Sequence, residues 1–354
     1  MANDPVESSH EKYMWRCLHL AALGAGYVAP NPMVGAVLVY NNKIIGEGYH
    51  QKYGEAHAEV NCIASVEPDD KQYIPQSVLY VSLEPCAHHG KTPPCADLII
   101  RNKIPKVVIG CRDPFKQVDG KGIEKLKAAG VEVELGILEN ESREINKRFL
   151  TFHTKYRPYI ILKWAQTADL KITSGTNKRL LISNEYSNRL VHKWRSEEAS
   201  ILVGTNTVFN DDPELTTRLW NGPSPIRLII DMDLKLPSSL KVFNQGVRTI
   251  IFNTIKHEES GTLSYYQVTE DVSLVHQVIN ALYQLNIQSV IVEGGARLLQ
   301  SFIDENSWDE ARIITNTEMI AGSGLPAPHF INAILSGSSY LHNDNLQVFK
   351  PSYH

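Results

Sequence analysis

Cysteine is sparse and odd in number, five in 354 residues. A chain of this size built on disulfides would carry a larger, even set, so reduced thiols are expected, some of them available to bind a metal. An excess of positive charge is missing as well. The net charge of −4 leaves no global basic field to attract nucleic acid, although local phosphate sites stay open. No apolar run approaches the roughly 20 residues needed to span a bilayer. The opening MANDPVESSHEKYM is polar and acidic, unlike a signal peptide or an Arg-rich transit peptide. A cytoplasmic protein is expected, with neither nucleic acid nor membrane as partner. Internal repetition between the two halves and the G-x-G-x-x-G dinucleotide fingerprint are also absent.

What remains is a globular composition, 43% hydrophobic and 21% charged, in a chain too long for one ordinary core. The pattern predicts a helix from Glu11 to about Tyr27, then two strands in MVGAVLVYNNKIIGEGYH joined at Asn41-Asn42. Helices in AHAEVNCIASV, TPPCADLIIRNKI and DGKGIEKLKAAG alternate with strands in SVLYVSLEP, IPKVVIGC and VEVELGI. That alternation predicts a layered α/β domain over residues 1–150. NKRFLTFHTKYRP reads as a polar, basic connection, and the alternation restarts at YIILKWAQ for a second α/β domain over residues 151–354. There ILVGTNTVFNDDPELTTR reads as a strand followed by a long polar loop. The last 30 or so residues carry no interpretable motif.

Two stretches carry chemistry. In GEAHAEVNC, residues 54–62, His57 and Glu59 stand two apart at the start of a helix, where both can reach one site only from its first turn. In EPCAHHGKTPPC, residues 84–95, Cys86 ends a strand and Cys95 opens a helix, whose N–H groups favour a thiolate. One histidine and two cysteines give a zinc ion three protein ligands and leave a fourth position for water. Glu59, beside the ion without binding it, suits proton transfer between that water and a leaving amine. A closed structural zinc site, with Cys62, His88, His89 or Cys111 as fourth ligand, and simple packing of the thiols are the alternatives.

In the second half, SVIVEGGARLLQSFI runs a buried strand through Gly294-Gly295 into a helix, a turn that lets backbone approach a phosphate or is merely tight. Asp211 and Asp212 cap or turn the chain equally well. Arg218 can pair with one of them, and Arg195 can be a solvated helix residue with Glu198 nearby.

His-x-Glu followed by Pro-Cys is the pattern of zinc nucleobase deaminases, here with eight residues between the two cysteines. Together with APNPMVGAVLV, GEGYHQKYGEAHAEV and CRDPFKQVDGKG, it resembles the deaminase half of the bifunctional deaminase/reductase family of riboflavin biosynthesis. RPYIILKWAQTADLKI and the motifs after it are similar, more loosely, to the reductase half. The resemblance implies a cytidine-deaminase-like α/β/α N-terminal domain and a dihydrofolate-reductase-like α/β C-terminal domain. The implied substrates are phosphoribosyl pyrimidines: 2,5-diamino-6-(5-phosphoribosylamino)pyrimidin-4(3H)-one is deaminated, and the ribosyl group of the product is reduced to ribityl. One Zn²⁺ per chain would be held by His57, Cys86 and Cys95, with Glu59 moving protons.

Asn31, His50, His88, Lys91 and Asp113 match deaminase positions that contact substrate, and Lys163, Arg195, Leu215, Arg218 and Glu293 match those lining the reductase site. Lys163 is a candidate for polarising or protonating the opening sugar. NADPH would be held by Ala165, Leu181, Thr207, Asp211, Gly295, Ala296, Arg297, Leu298, Leu299, Gln300 and Ser301. A homo-oligomer is expected. Three departures from relatives stand out: Phe115 for an asparagine, Leu170 for a glycine and Leu181 near a tryptophan.

Overall fold

The computed structural model describes residues 9–87, 93–115, 118–175 and 180–352. It divides into two compact units, Met1–Tyr156 and Arg157–His354.

The first unit runs α1 (Ser9–Ala22), β1 (Gly35–Tyr40), β2 (Lys43–Tyr49), α2 (Ala58–Ala64), β3 (Val78–Leu83), α3 (Cys95–Arg101), β4 (Lys106–Cys111), α4 (Lys121–Ala128), β5 (Glu132–Leu135), α5 (Glu139–Ile145) and α6 (Lys147–Lys155). Its sheet has the order β2-β1-β3-β4-β5. β1 is antiparallel to both neighbours, and β3, β4 and β5 are parallel. The β1–β2 turn falls on Asn41 and Asn42, both at positive φ (47° and 61°), as a two-residue hairpin requires.

The period-2 rule sorts β1 cleanly. Ala36 and Leu38 join Leu79, Ile109, Cys62 and Ile99 on one face, while Val37 and Val39 join Tyr80 and the α1 residues Met14, Cys17 and Leu20 on the other. Helices therefore cover both faces, and the strands read as apolar runs.

Two expectations change here. α1 stops at Ala22, five residues short of Tyr27. A side chain at Gly24 would meet the His50 carbonyl at 2.7 Å, and the chain turns there instead of continuing. The stretch taken for a linker contains α6, whose Phe149, Leu150 and Phe152 are buried; its basic residues had hidden an amphipathic face. Residue 150 thus lies inside a helix.

The second unit runs β6 (Tyr159–Gln166), α7 (Glu185–Glu197), β7 (Ser200–Gly204), α8 (Thr205–Asp211), β8 (Ile226–Ile230), β9 (Thr249–Asn253), β10 (Glu258–Ser260), β11 (Leu263–Gln267), α9 (Leu274–Gln284), β12 (Ser289–Gly294), α10 (Ala296–Asp304), β13 (Glu310–Asn316), β14 (Ala333–Leu341) and β15 (Asp344–Pro351). Its ten-stranded sheet has the order β10-β11-β9-β8-β7-β12-β6-β13-β15-β14. The seven strands from β11 to β13 are parallel, and antiparallel strands close both ends.

Alternate residues again face two cores. Ile160, Leu162, Val290 and Val292 pack with α9 and α10, while Ile161, Ile291 and Ile201 pack with Val191 and Trp194 of α7 and Val208 of α8. The polar loop expected after β7 is α8 for its first turns. The uninterpreted C-terminal segment is the β14–β15 hairpin, most of whose β14 side chains are exposed, so burial never imposed a hydrophobic alternation on it. Among the described residues no helix is long and apolar enough to cross a membrane.

Candidate active sites

The first site depends on how closely α2 approaches β2. A Cβ at Gly48 would lie 2.3 Å from the Cys62 backbone nitrogen, and one at Gly46 would lie 2.5 Å from the Cys62 carbonyl oxygen. With hydrogen in both places the helix lies against the strand. His57 is the residue before α2, in extended conformation; Cys86 follows β3 and Cys95 opens α3.

The His57 Nδ1 atom is 3.6 Å from the Cys86 sulfur and 3.4 Å from the Cys95 sulfur. A tetrahedral ion bound at ordinary Zn–N and Zn–S lengths sets that separation at about 3.6 Å. All three ligand atoms lie within 4.8 Å of one another, and among the described residues they are the only such cluster. The donor set therefore fits zinc. Cys62 and Cys111 stay outside it, each buried with its thiol pushed well up by burial, Cys111 to about 12.

A hydrogen bond from Cys95, and then one with His57, draw Cys86 down to about 4, whereas the partnership with Cys86 and burial push Cys95 up. His57 is raised, first by Cys86.

Glu59 is 3% exposed. Burial, and then the charge of Cys86, push its carboxyl up against the pull of His57. A raised carboxyl beside the cluster can hold a proton and release it. His50 is buried, its ring 5.5 Å from that of His57. Its Nδ1 lies 3.0 Å from the Ala56 carbonyl and its Nε2 lies 3.1 Å from the Asn31 amide nitrogen. The first contact needs a proton on Nδ1, so Nε2 accepts from Asn31, and burial keeps the ring neutral by lowering its pKa.

Asp113 is buried and raised to about 7, chiefly by that burial; it accepts from the Phe115 N–H at 2.8 Å. The Phe115 ring packs against His153 at 4.9 Å. His88 and Lys91, and His89 with them, lie outside the described residues.

One organising residue escaped the sequence reading. Glu84 is buried and accepts backbone N–H groups from Asp113, Gly120, Gly122 and Ile123 at 3.0–3.3 Å. It ties the end of β3, and so Cys86, to the loop carrying Asp113. Its only signal was a charge between a strand and a proline.

The second site gathers at the carboxyl ends of adjacent parallel strands, where α/β sheets hold ligands. Glu293 on β12 receives both arms of Arg195 from α7, at 2.8 and 2.6 Å. The Lys163 ammonium on β6 is 4.0 Å from the same carboxylate. Burial pushes Glu293 up, but Arg195 and Lys163 outweigh it and hold the carboxyl down, at about 2.

Leu215 sits at φ 54°, with its side chain in the core. Arg218 pairs with Glu214 at 3.1 Å, and its backbone N–H donates to His192 at 2.9 Å. His192 and Glu214 belong to this cluster and were missed; the spacing of His192 three residues before Arg195, one helical turn, was the available signal.

The residues expected to hold the cofactor divide. A Cβ on Gly295 would come within 3.3 Å of the Thr207 hydroxyl, so α8 and the start of α10 meet at a turn that only glycine fits this closely, with Gly294 at φ 121°. Backbone there is available to a phosphate, a local geometry that fits a dinucleotide. Ala165 is the penultimate residue of the neighbouring β6, and Asp211 ends α8.

Further along α10, Leu299 is a core residue and Leu298 packs against that core. Gln300 bonds Asp304 and the His329 backbone, and Ser301 bonds back to Arg297. Leu181 is 71% exposed. Leu170 takes the left-handed conformation, φ 58°, which a glycine would adopt without strain.

A cysteine–histidine metal cluster with a buried carboxylate beside it defines a zinc-dependent hydrolase, joined here to a nucleotide-binding α/β unit. Residues 7–111 match the cytidine and deoxycytidylate deaminase zinc-binding region, and residues 158–325 match the RibD C-terminal domain. The RibD riboflavin biosynthesis protein of Aquifex aeolicus is 41% identical over 90% of both chains. That of Escherichia coli is 33% identical over 85% of both. A crystal structure of the deaminase/reductase from Thermotoga maritima, 35% identical, superposes with a TM-score of 0.89 over 98% of this chain and 99% of that one.

The chain belongs to the RibD family of riboflavin biosynthesis proteins, bifunctional enzymes that join a deaminase to a reductase. Both halves are present, cytidine-deaminase-like and dihydrofolate-reductase-like in fold. Zinc serves the first half and NADPH the second.

Proposed function

We propose that His57, Cys86 and Cys95 hold the zinc of the deaminase and that Glu59 is its proton carrier. The supporting observation is the pair of nitrogen–sulfur distances, 3.6 and 3.4 Å, with a buried and raised carboxyl alongside. Zinc, when bound, supplies Lewis-acid activation of water. Glu59 takes a proton from that water and gives it to the departing amine of 2,5-diamino-6-(5-phosphoribosylamino)pyrimidin-4(3H)-one, which leaves as ammonia. Asn31, His50 and Asp113 orient the ring, with His88 and Lys91 as further contacts carried over from the family resemblance.

In the second unit NADPH supplies a hydride to C1′ of 5-amino-6-(5-phosphoribosylamino)uracil. Thr207, Asp211, Ala165 and the Gly295–Ala296–Arg297 backbone hold the dinucleotide; Leu181 and the stretch from Leu298 to Ser301 flank it. Lys163 delivers a proton to the opening sugar oxygen. Glu293 fixes Lys163 and Arg195, and Leu215 and Arg218 border the phosphosugar. The protein's contribution is orientation and electrostatics.

The partners are small phosphoribosyl pyrimidines, in the cytoplasm. A second copy of the chain is a partner too, because edge strand β14 exposes Ile334, Leu335 and Tyr340, apolar surface on the strand that ends the sheet.

The test is NADPH oxidation with the diaminopyrimidine substrate, comparing wild type with Glu59→Gln. Oxidation lost in the variant and restored by the deaminated intermediate supports the assignment. Undiminished ammonia release from the variant rejects Glu59 as the proton carrier.

A further inference from the structure

His192 is 5% exposed, one helical turn before Arg195 on α7. Its Nδ1 lies 2.9 Å from the Arg218 backbone nitrogen, which has a proton to give, so Nδ1 must accept. A neutral imidazole then carries its proton on Nε2. Burial first, and then the charges of Arg195 and Arg218, hold the ring down at about 4, and it is neutral near pH 7.

Among the described residues Nε2–H has no protein acceptor. Nor is it one of the sealed, unpartnered polar atoms of the interior, which belong to Ser142, Thr217, Arg227, Arg312 and Asp344. Buried rings rarely leave a donor idle, and this one remains within reach of a ligand.

Its neighbours explain what kind of ligand. Arg195 spends its fork on Glu293 and turns its remaining nitrogen to the Thr216 carbonyl at 3.4 Å. Lys163 faces Glu293, and Arg218 is half-exposed and paired with Glu214. These cations give the site a positive field, but their hydrogen bonds are largely committed to protein. The loop itself is fastened from several sides: Arg227 Nε donates to the Glu214 carbonyl at 2.9 Å and the Thr217 N–H donates to Ser224 Oγ at 3.1 Å, around the left-handed Leu215. A loop over-determined to this degree holds a geometry, and His192 is the part of the fastening with a donor to spare.

We propose that His192 is a substrate-contacting residue of the reductase unit, whose Nδ1 fixes the Arg218 loop while Nε2–H donates to the phosphate of the phosphosugar. The assignment rests on the reading of this unit as the site of the phosphorylated substrate.

The experiment measures kcat and KM for NADPH oxidation with 5-amino-6-(5-phosphoribosylamino)uracil and with its dephosphorylated riboside. Wild type is compared with His192→Asn, which keeps an acceptor at the Nδ1 position, and with His192→Gln, which places an amide N–H near Nε2. His192→Asn should raise KM for the phosphorylated substrate by roughly 10- to 100-fold, the loss of one hydrogen bond to a charged group. It should leave kcat and the riboside KM nearly unchanged, and His192→Gln should recover part of the loss. Ammonia release by the deaminase and a thermal melt confirm that each variant is folded.

An unaltered KM in His192→Asn, or equal losses for both substrates, overturns the contact and leaves a loop fastener. Absence of NADPH oxidation in the wild type overturns the underlying reading of the unit, and the contact with it.

Discussion

Glu59 and Glu293 are both buried carboxyls, and their neighbours send them in opposite directions. Around Glu59 burial and the Cys86 sulfur favour the proton, whereas around Glu293 two cations overcome burial and expel it. The second case has a pH consequence. A carboxyl whose folded pKa is depressed contributes stability that is fully present above its unfolded value, near 4.5, and lost as pH falls toward 2. Across that window the Arg195–Glu293 pair should forfeit on the order of 3 kcal/mol. Urea unfolding of the second unit between pH 6 and pH 3 should show wild type converging on Glu293→Gln as the solution acidifies; a constant gap would exclude the linkage. At this scale the proposed zinc donors were legible because each offers a soft or imidazole donor at a distinctive place in the sequence. His192, Glu84 and Glu214 were not, because their roles depend on backbone groups of loops far away in the chain.

Among the elements, α2 is the most constrained by what the sequence omits. Three backbone atoms, Cys62 N, Asn61 C and Ala58 O, lie within 2.7 Å of where a Gly48 side chain would begin, and backbone cannot swing aside. Gly48→Ala should therefore destabilise the first unit by about 2–3 kcal/mol or more and lower the zinc retained per chain, since His57 moves with the helix. Calorimetry and metal analysis of the same preparation check both effects, and unchanged zinc content would show that the cluster tolerates a displaced α2. Most strands and helices were legible from period and turn residues, including the Asn41-Asn42 hairpin. α6 was hidden by its lysines and arginines, and α8 by a composition that favours loops. The β14–β15 hairpin was hidden by exposure, because a strand with little buried surface has no pattern to display. Leu170 shows the reverse case, an unfavourable residue that keeps the backbone conformation; its turn is held by Asp169, which accepts N–H groups from Ala321 and Gly322 at 3.0 and 2.8 Å.

For the molecule as a whole, two units carry consecutive steps of one conversion, so a substitution in one cluster should leave the other activity intact. The C-terminal hairpin bears on assembly: β14 ends the ten-stranded sheet, with Ile334 58% and Tyr340 67% exposed. Sedimentation of wild type should give more than one copy per particle, and Ile334→Lys with Tyr340→Lys should shift it to a single copy, because charge on an edge strand opposes pairing. A wild-type monomer would end the homo-oligomer proposal.

The sequence by itself determined the two α/β units, the candidate zinc donors and the family, because periodicity, residue chemistry and motif spacing are local properties. Only the tertiary structure decided that Arg195 is committed to Glu293, that His192 meets the Arg218 loop, that Leu299 is core and that the last strands complete the second sheet. Each of those joins residues distant in sequence, and which distant groups meet is settled by how the sheets and helices pack.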